Sequence, residues 1–232
     1  MDIRHSVALV TGANRGLGRA FAAALLARGA GKVYAAARDP STIDLPGVVP
    51  LRLDVTSAAD VAAAARSLVD VNLLINNAGI IERGSLLGGD LAALRREMET
   101  NFFGTLAMSQ SFAPVLGANG GGALVNVLSV LSWVTVPGTA MYSASKAAAW
   151  ALTNALRQEL AAQNTLVTAL HVGYMDTDMA AHVQTPKANP ADVANQVLDA
   201  VRDGREEVLA DELSRQVKAG LAADPGVYLR RA

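Results

Sequence analysis

At 232 residues the chain has the length of one α/β domain, and a composition that is 51% hydrophobic but only 4% aromatic fits a core of Ala, Val and Leu and argues against disorder. A formal net charge of -1 without a dense Lys/Arg cluster lacks the electrostatic footprint of a nucleic-acid binder. With no Cys, and with His5, His171 and His182 scattered, disulfides and thiol catalysis are excluded and no metal-ligand spacing is present.

Asp2, Arg4 and His5 precede a very short apolar run, unlike a secretory leader, and no apolar stretch reaches the ~18 residues of a membrane span. A cytoplasmic protein without membrane association is the expectation. Ser6 to Val10 reads as a first strand, followed by a Gly-rich turn and a helix marked by Leu17, Phe21, Leu25 and Arg28. Further strands are predicted at Lys32 to Ala37, Val48 to Leu53 and Leu73 to Asn76, with an Ala-rich helix from Ala58 to Ser67 before the last of these. A long helix from Leu91 to Leu116, a strand at Ala123 to Val127, a helix from Tyr142 to Gln163 and a strand at Leu166 to Val172 continue the rhythm. Pro190 opens another helix, to about Asp203, before a short strand at Glu207 to Ala210 and a terminal helix or tail.

Strands alternating with crossover helices predict a single-domain α/β fold over residues 1–232: a doubly wound, Rossmann-type parallel sheet of about seven strands with helices on both faces. No repeat, charged block or linker divides the chain. In such sheets the ligand crevice lies at the carboxyl ends of the strands, where strand order reverses.

The turn after the first strand reads Thr11-Gly12-Ala13-Asn14-Arg15-Gly16-Leu17-Gly18. Glycines there let a phosphate approach the backbone, and the helix that follows offers free N–H groups and the positive end of its dipole. A tight turn alone is the competing explanation. At the end of the second strand, where an acid would hold adenosine ribose hydroxyls, stands Ala37. Arg38 follows it, so Arg38 and Arg15 are candidates to grip a 2′-phosphate, which favours NADP(H) over NAD(H); solvated surface charges are the alternative. Asp54, with Val55 beside it, ends the third strand either as an adenine contact or as a helix cap. Asn76-Asn77-Ala78-Gly79 ends the fourth, serving close approach to adenosine or sheet architecture.

Tyr142 and Lys146 are four residues apart on one face of a predicted helix. An ammonium beside a phenol favours the phenolate; at ~4 Å and an effective dielectric of ~20 the attraction is about 4 kcal/mol, an upper bound of ~3 pKa units. Alone, such a pair is common by chance and reads as surface decoration.

Together, Tyr142-Ser-Ala-Ser-Lys146, the loop Thr11 to Gly18 and Asn76 to Gly79 resemble, in order and approximate spacing, the short-chain dehydrogenase/reductase family, in its compact branch. The resemblance spans essentially the whole chain. It implies that Asn101 holds a proton-relay water, that Ser129, thirteen residues before Tyr142, polarises a substrate carbonyl, and that Tyr142 moves the proton. Ser132 is the rival to Ser129, but its spacing is too short for the pattern. Lys146 would also bind the nicotinamide ribose, and Gly173 and Thr177 would hold the carboxamide, although Val172 stands where the family usually has Pro. The cofactor contacts implied are thus Gly12, Asn14, Arg15, Gly16, Leu17, Gly18, Arg38, Asp54, Val55, Asn77, Ala78, Gly79, Tyr142, Lys146, Gly173 and Thr177, with no metal.

Neighbours of these positions, namely Val130, Leu131, Trp133, Met141, Tyr174, Met175 and Met179, suggest a small to medium, mainly apolar carbonyl or alcohol as substrate. The segment Asp176 to Asn189 is short for a lid and suggests an open pocket. The helices around Leu94 to Leu116 and Ala147 to Leu160 carry small and apolar residues suited to a homodimer or homotetramer, or to burial on the sheet. The expected activity is NADP(H)-dependent interconversion of a carbonyl and an alcohol; the alternative is a catalytically silent nucleotide-binding regulator.

Overall fold

The computed structural model describes residues 1–229. Seven strands, β1 (Val7–Thr11), β2 (Lys32–Ala37), β3 (Val49–Arg52), β4 (Leu73–Asn76), β5 (Ala123–Val127), β6 (Leu166–His171) and β7 (Glu207–Leu209), form one sheet in the order β3-β2-β1-β4-β5-β6-β7. Every pairing is parallel. Parallel strands need crossovers, supplied by α1 (Gly16–Ala27), α2 (Ala58–Ser67), α3 (Leu91–Met98), α4 (Thr105–Ala118), α5 (Ala140–Glu159) and α6 (Pro190–Arg202), with α7 (Glu212–Gly220) after β7.

The central strands are buried on both faces because their alternate side chains serve two cores. Ala8 and Val10 of β1, Leu73 and Ile75 of β4 and Val125 of β5 pack with Phe21 and Leu25 of α1 and Val197 and Leu198 of α6. Leu9, Leu74 and Leu124 point the other way, onto Val61 of α2, Met108, Phe112 and Leu116 of α4 and Leu156 of α5. That division explains the unbroken apolar runs of the strands. At ~25 cal/mol per Å² of apolar area, each large side chain fully buried in these layers contributes about 2 kcal/mol.

The predicted helix from Leu91 to Leu116 is instead two α-helices joined by a π-helical turn, Glu99–Gly104. Widening the helix there changes which carbonyls find intrahelical partners, and such turns cluster at functional sites. Strand order reverses between β1 and β4, so the crevice opens above their carboxyl ends.

Candidate active site

A cavity of about 1000 Å³ runs along the carboxyl ends of the strands. Of the sequence-derived positions, Asn101 and Gly18 lie beneath its wall, while Ser129, Tyr142, Lys146 and the other cofactor candidates line it.

One end is built for an anion. Helix α1 begins at Gly16 with no side-chain cap and no acid in its first turn, whereas Ser57, Asp90, Asn189 and Asp211 cap α2, α3, α6 and α7. Its first amides are therefore free for a ligand phosphate. Gly12, at φ 64°, brings the turn against β4, where an added Cβ would sit 3.1 Å from Ala78 Cα. Asn77 Nδ2 donates to Thr11 O at 2.9 Å and Gly12 O at 3.1 Å, and Thr11 Oγ1 accepts from Asn77 N and Ala78 N at 3.0 Å. The Asn77 side chain thus stitches β4 to the glycine turn, and the cavity meets the strip Ala78–Gly79 beside it. Asn76 is buried, donating to Ser109 Oγ and Asn126 Oδ1. These residues fit a dinucleotide: a bare helix terminus, a side-chain-free cradle and a long cleft.

At the rim, Arg38 is exposed and has no ion-pair partner among the described residues. Arg15 is paired with Asp178 at 2.9 Å across the mouth, so the two guanidinium groups are not both free. Asn14 Nδ2 donates to Thr42 Oγ1 at 3.2 Å. Asp54 Oδ1 accepts from Thr56 N at 2.9 Å and Thr56 Oγ1 at 2.7 Å, making a turn, while the cap of α2 is Ser57. Gly173 N donates to Asp211 Oδ2 at 2.7 Å, so its amide is engaged within the protein. Thr177 packs on the glycine turn, its Cγ2 3.3 Å from where a Cβ of Gly16 would lie.

The other end is built for proton transfer. Tyr142, half-buried, and Lys146, buried, lie one turn apart on α5. The Lys146 Nζ donates to Val127 O at 2.8 Å and stands 5.7 Å from the centroid of the Tyr142 ring. Burial pulls Lys146 down to about 8, with the charge of Glu97 opposing. Burial pushes the Tyr142 phenol up; Glu97 adds to this and the Ser129 hydroxyl opposes it. Desolvation thus outweighs the Ser129 hydrogen bond at the phenol.

Ser129 Oγ accepts from Leu131 N at 3.1 Å and lies 3.5 Å from Val172 O. Ser132 Oγ is turned back to Ser129 N at 3.4 Å and is absent from the cavity wall. Asn101 is locked within the π-helical turn: Oδ1 accepts from Ile80 N, and Nδ2 donates to Ile80 O and Ser145 Oγ, all at 2.9 Å. Its carbonyl accepts from Thr105 Oγ1 at 3.0 Å.

Val130, Leu131, Tyr174, Met175 and Met179 line the cavity, but Trp133 and Met141 do not. Met141 precedes Tyr142 on the helix and is rotated away, packing on Gly84. Trp133 faces His171 and Trp150. Sequence reasoning also missed the basic group Arg83, Arg95 and His182 at the mouth, the buried Glu97 and the buried His171. An acid four residues before Asn101 was the one signal available for Glu97. No group of three metal-ligating side chains occurs, and no helix is long and apolar enough to cross a membrane, among the described residues.

Residues 6–188 match the family model described as short chain dehydrogenase. Dehydrogenase/reductase SDR family member 7B of Danio rerio is 30% identical over 262 residues, covering 99% of this chain and 82% of that protein; its counterpart in Xenopus laevis is 30% identical over 260 residues, covering 98% and 78%. A solved short chain dehydrogenase from Burkholderia cenocepacia J2315, in complex with NADP, is 44% identical, with a TM-score of 0.93 over 97% of this chain and 96% of that one. An SDR from Burkholderia phymatum, in complex with NAD, has a TM-score of 0.88 at 24% identity over 100% and 99%, a likeness of fold.

Proposed function

Because this chain belongs to the short-chain dehydrogenase family of oxidoreductases, we propose that it interconverts a ketone or aldehyde and the corresponding alcohol with NADP(H). The observation that carries this reading is one cleft with Ser129, Tyr142 and Lys146 at one end and an uncapped helix terminus with the unpaired Arg38 at the other. The fit to a 2′-phosphate at Arg38 and the NADP complex of the Burkholderia cenocepacia protein favour NADP(H).

When bound, the nicotinamide supplies or accepts hydride. The protein's own groups handle position and the proton. A carbonyl oxygen placed between the Ser129 hydroxyl and the Tyr142 phenol is polarised by both. A phenol held protonated by burial suits reduction, donating its proton as the alkoxide forms. The Lys146 ammonium then faces a phenolate, and its attraction acts on the state that follows proton transfer. The bond from Asn101 Nδ2 to Ser145 Oγ, the residue before Lys146, supports a relay in which a water held by Asn101 O returns the proton.

The wall formed by Val130, Leu131, Met175 and Met179 supports a small to medium, mainly apolar substrate, and homo-oligomers built on α4 and α5 suit their small and apolar composition. A spectrophotometric panel of ketones, aldehydes, quinones and alcohols with NADPH and NADP⁺ tests the activity. Tyr142→Phe should retain cofactor binding and lose at least ~10²-fold in turnover. Full turnover by that variant overturns the mechanism; cofactor binding without turnover by the unaltered protein would favour a silent regulator.

A further inference from the structure

Glu97 occupies the penultimate position of α3, one turn ahead of Asn101, and is 0% exposed. Its Oε1 accepts from Glu82 N at 2.5 Å, so α3 and the π-helical turn grip the loop after β4 twice, at residue 82 through Glu97 and at residue 80 through Asn101. Its Oε2 is buried with no partner. A clasp for one amide needs one acceptor, which Gln would also provide. A second, unpaired carboxyl oxygen costs about 1–3 kcal/mol and more if ionised, so it calls for an explanation.

The surroundings supply one. On the loop stands Glu82, bound to Arg96; α3 packs against α5, the helix that carries Tyr142 and Lys146; Arg95, Arg96 and Glu99 of its own helical run are exposed. Among the described residues no cation hydrogen-bonds the carboxyl, and Lys146 Nζ donates to Val127 O. We propose that Glu97 is a positioning residue for the reaction, a buried acid that holds the loop after β4 against α3 and presents its second carboxyl oxygen to the core shared with the helix that carries Tyr142 and Lys146. This rests on the roles given to Tyr142 and Lys146 above.

The direction of each influence agrees. Burial, helped by the charge of Glu82, raises Glu97 above its ordinary value while the hydrogen bond from Glu82 N and the charge of Lys146 oppose this, and the charge of Glu97 raises both Tyr142 and Lys146. With Glu97 protonated, its contribution to holding the phenol's proton is gone, burial alone opposes proton loss, and that loss is easier. With Glu97 ionised, the phenol holds its proton more tightly.

The test is NMR of tyrosine labelled at the ζ-carbon in the complex with NADP⁺, with Tyr142→Phe identifying the resonance. Glu97→Gln keeps an acceptor for Glu82 N but removes the charge, and Glu97→Met removes both. The Tyr142 titration should move to lower pH by roughly half a unit to one unit in either variant that folds. An unmoved titration in a folded variant overturns the inference. Independently of any change at position 97, Lys146→Met should raise the Glu97 titration, read by carboxyl-labelled glutamate; an unmoved Glu97 also overturns it. If Tyr142→Phe turns over normally, the proposed function fails. If it is inactive but Glu97→Gln leaves Tyr142 unmoved, this inference alone fails.

Discussion

The indole of Trp133 stacks on the imidazole of His171, ring centroids 3.8 Å apart and planes at 19°. The stack lies behind Ser129, because His171 Nδ1 is 3.2 Å from Ser129 O. His171 Nε2 is buried with no hydrogen-bond partner, and Glu207 approaches it only to 3.9 Å. A neutral ring donating from Nδ1 to the carbonyl satisfies this geometry, and it fixes the backbone that carries the serine hydroxyl.

Burial accordingly pulls His171 down to about 4. Since the folded state binds its proton less readily than the unfolded chain, at ~6.5, stability is full above ~6.5 and falls as pH drops from there toward 4. At pH ~4.5 the loss due to this one group should be about 2.5 kcal/mol. Urea unfolding of the unaltered protein and of His171→Gln across that range measures it. A difference between the two that does not change with pH would show that His171 is not held neutral.

Lys146 should cost stability for the sake of its chemistry. Its depressed pKa, about 8 against the usual 10.5, means the unfolded chain binds the proton more tightly between those values. The penalty is complete below pH 8 and is relieved as pH rises toward 10.5. Full conversion of that shift gives about 3 kcal/mol; Lys146→Met removes it but leaves Val127 O unpaired, at about 1–2 kcal/mol. A net gain of about 1 kcal/mol at pH 7, with turnover lost, is expected from thermal unfolding. A loss of stability at pH 7 would mean the ammonium is better solvated than its burial implies.

Much of this arrangement could be read along the chain. Strands such as Leu73–Asn76 and Ala123–Val127 were legible because burial on both faces leaves an unbroken apolar run between turn residues. The glycine turn was legible because its backbone demands show in residue type. What the chain could not show was direction and distance. Trp133 and Met141 adjoin Ser129 and Tyr142 in sequence, yet both point out of the cleft. Arg15 meets Asp178, 163 residues away, a pairing that no local pattern records. The π-helical turn at Glu99–Gly104 has ordinary helix formers around it and is imposed by tertiary contacts, among them Asn101 on Ile80 and Gly104 against Val55. The separation of Tyr142 and Lys146 in sequence gave their proximity but no measure of the burial that raises the phenol.

Gly18 offers a case where two effects oppose. Within a helix, Gly→Ala is worth up to ~1 kcal/mol in favour of Ala. Here the added Cβ would lie 2.1 Å from Gly12 O and 2.6 Å from Asn77 Nδ2, both fixed by the stitch between β1 and β4. Overpacking of that kind costs about 1–3 kcal/mol and dominates. Gly18→Ala should lower the melting temperature and weaken NADPH binding, read by nucleotide fluorescence. A more stable variant with unchanged binding would show that the turn yields easily.

The proposed preference for NADP(H) turns on Arg38. Arg15 already pairs with Asp178, but both side chains are largely exposed, 70% and 76%, so that pair is worth ~0–1 kcal/mol and releases readily. Asp39, the nearest acid in sequence, is turned away, accepting from Ser41 N at 3.0 Å and Ser41 Oγ at 2.7 Å. Arg38 is therefore the cation free to meet a 2′-phosphate, through charge-assisted bonds worth about 1.5–3 kcal/mol. Arg38→Asp removes that attraction and adds repulsion, so NADPH affinity should fall by about 10²-fold or more, while NADH, lacking the phosphate, should change only a few-fold. Arg15→Ala should show the same selectivity more weakly, and Asp178→Asn, which releases Arg15, should tighten NADPH slightly. Titration of each variant with both nucleotides reads this directly. Equal losses for NADPH and NADH in Arg38→Asp would place the adenosine ribose elsewhere in the cleft and remove the physical basis for a phosphate-dependent preference.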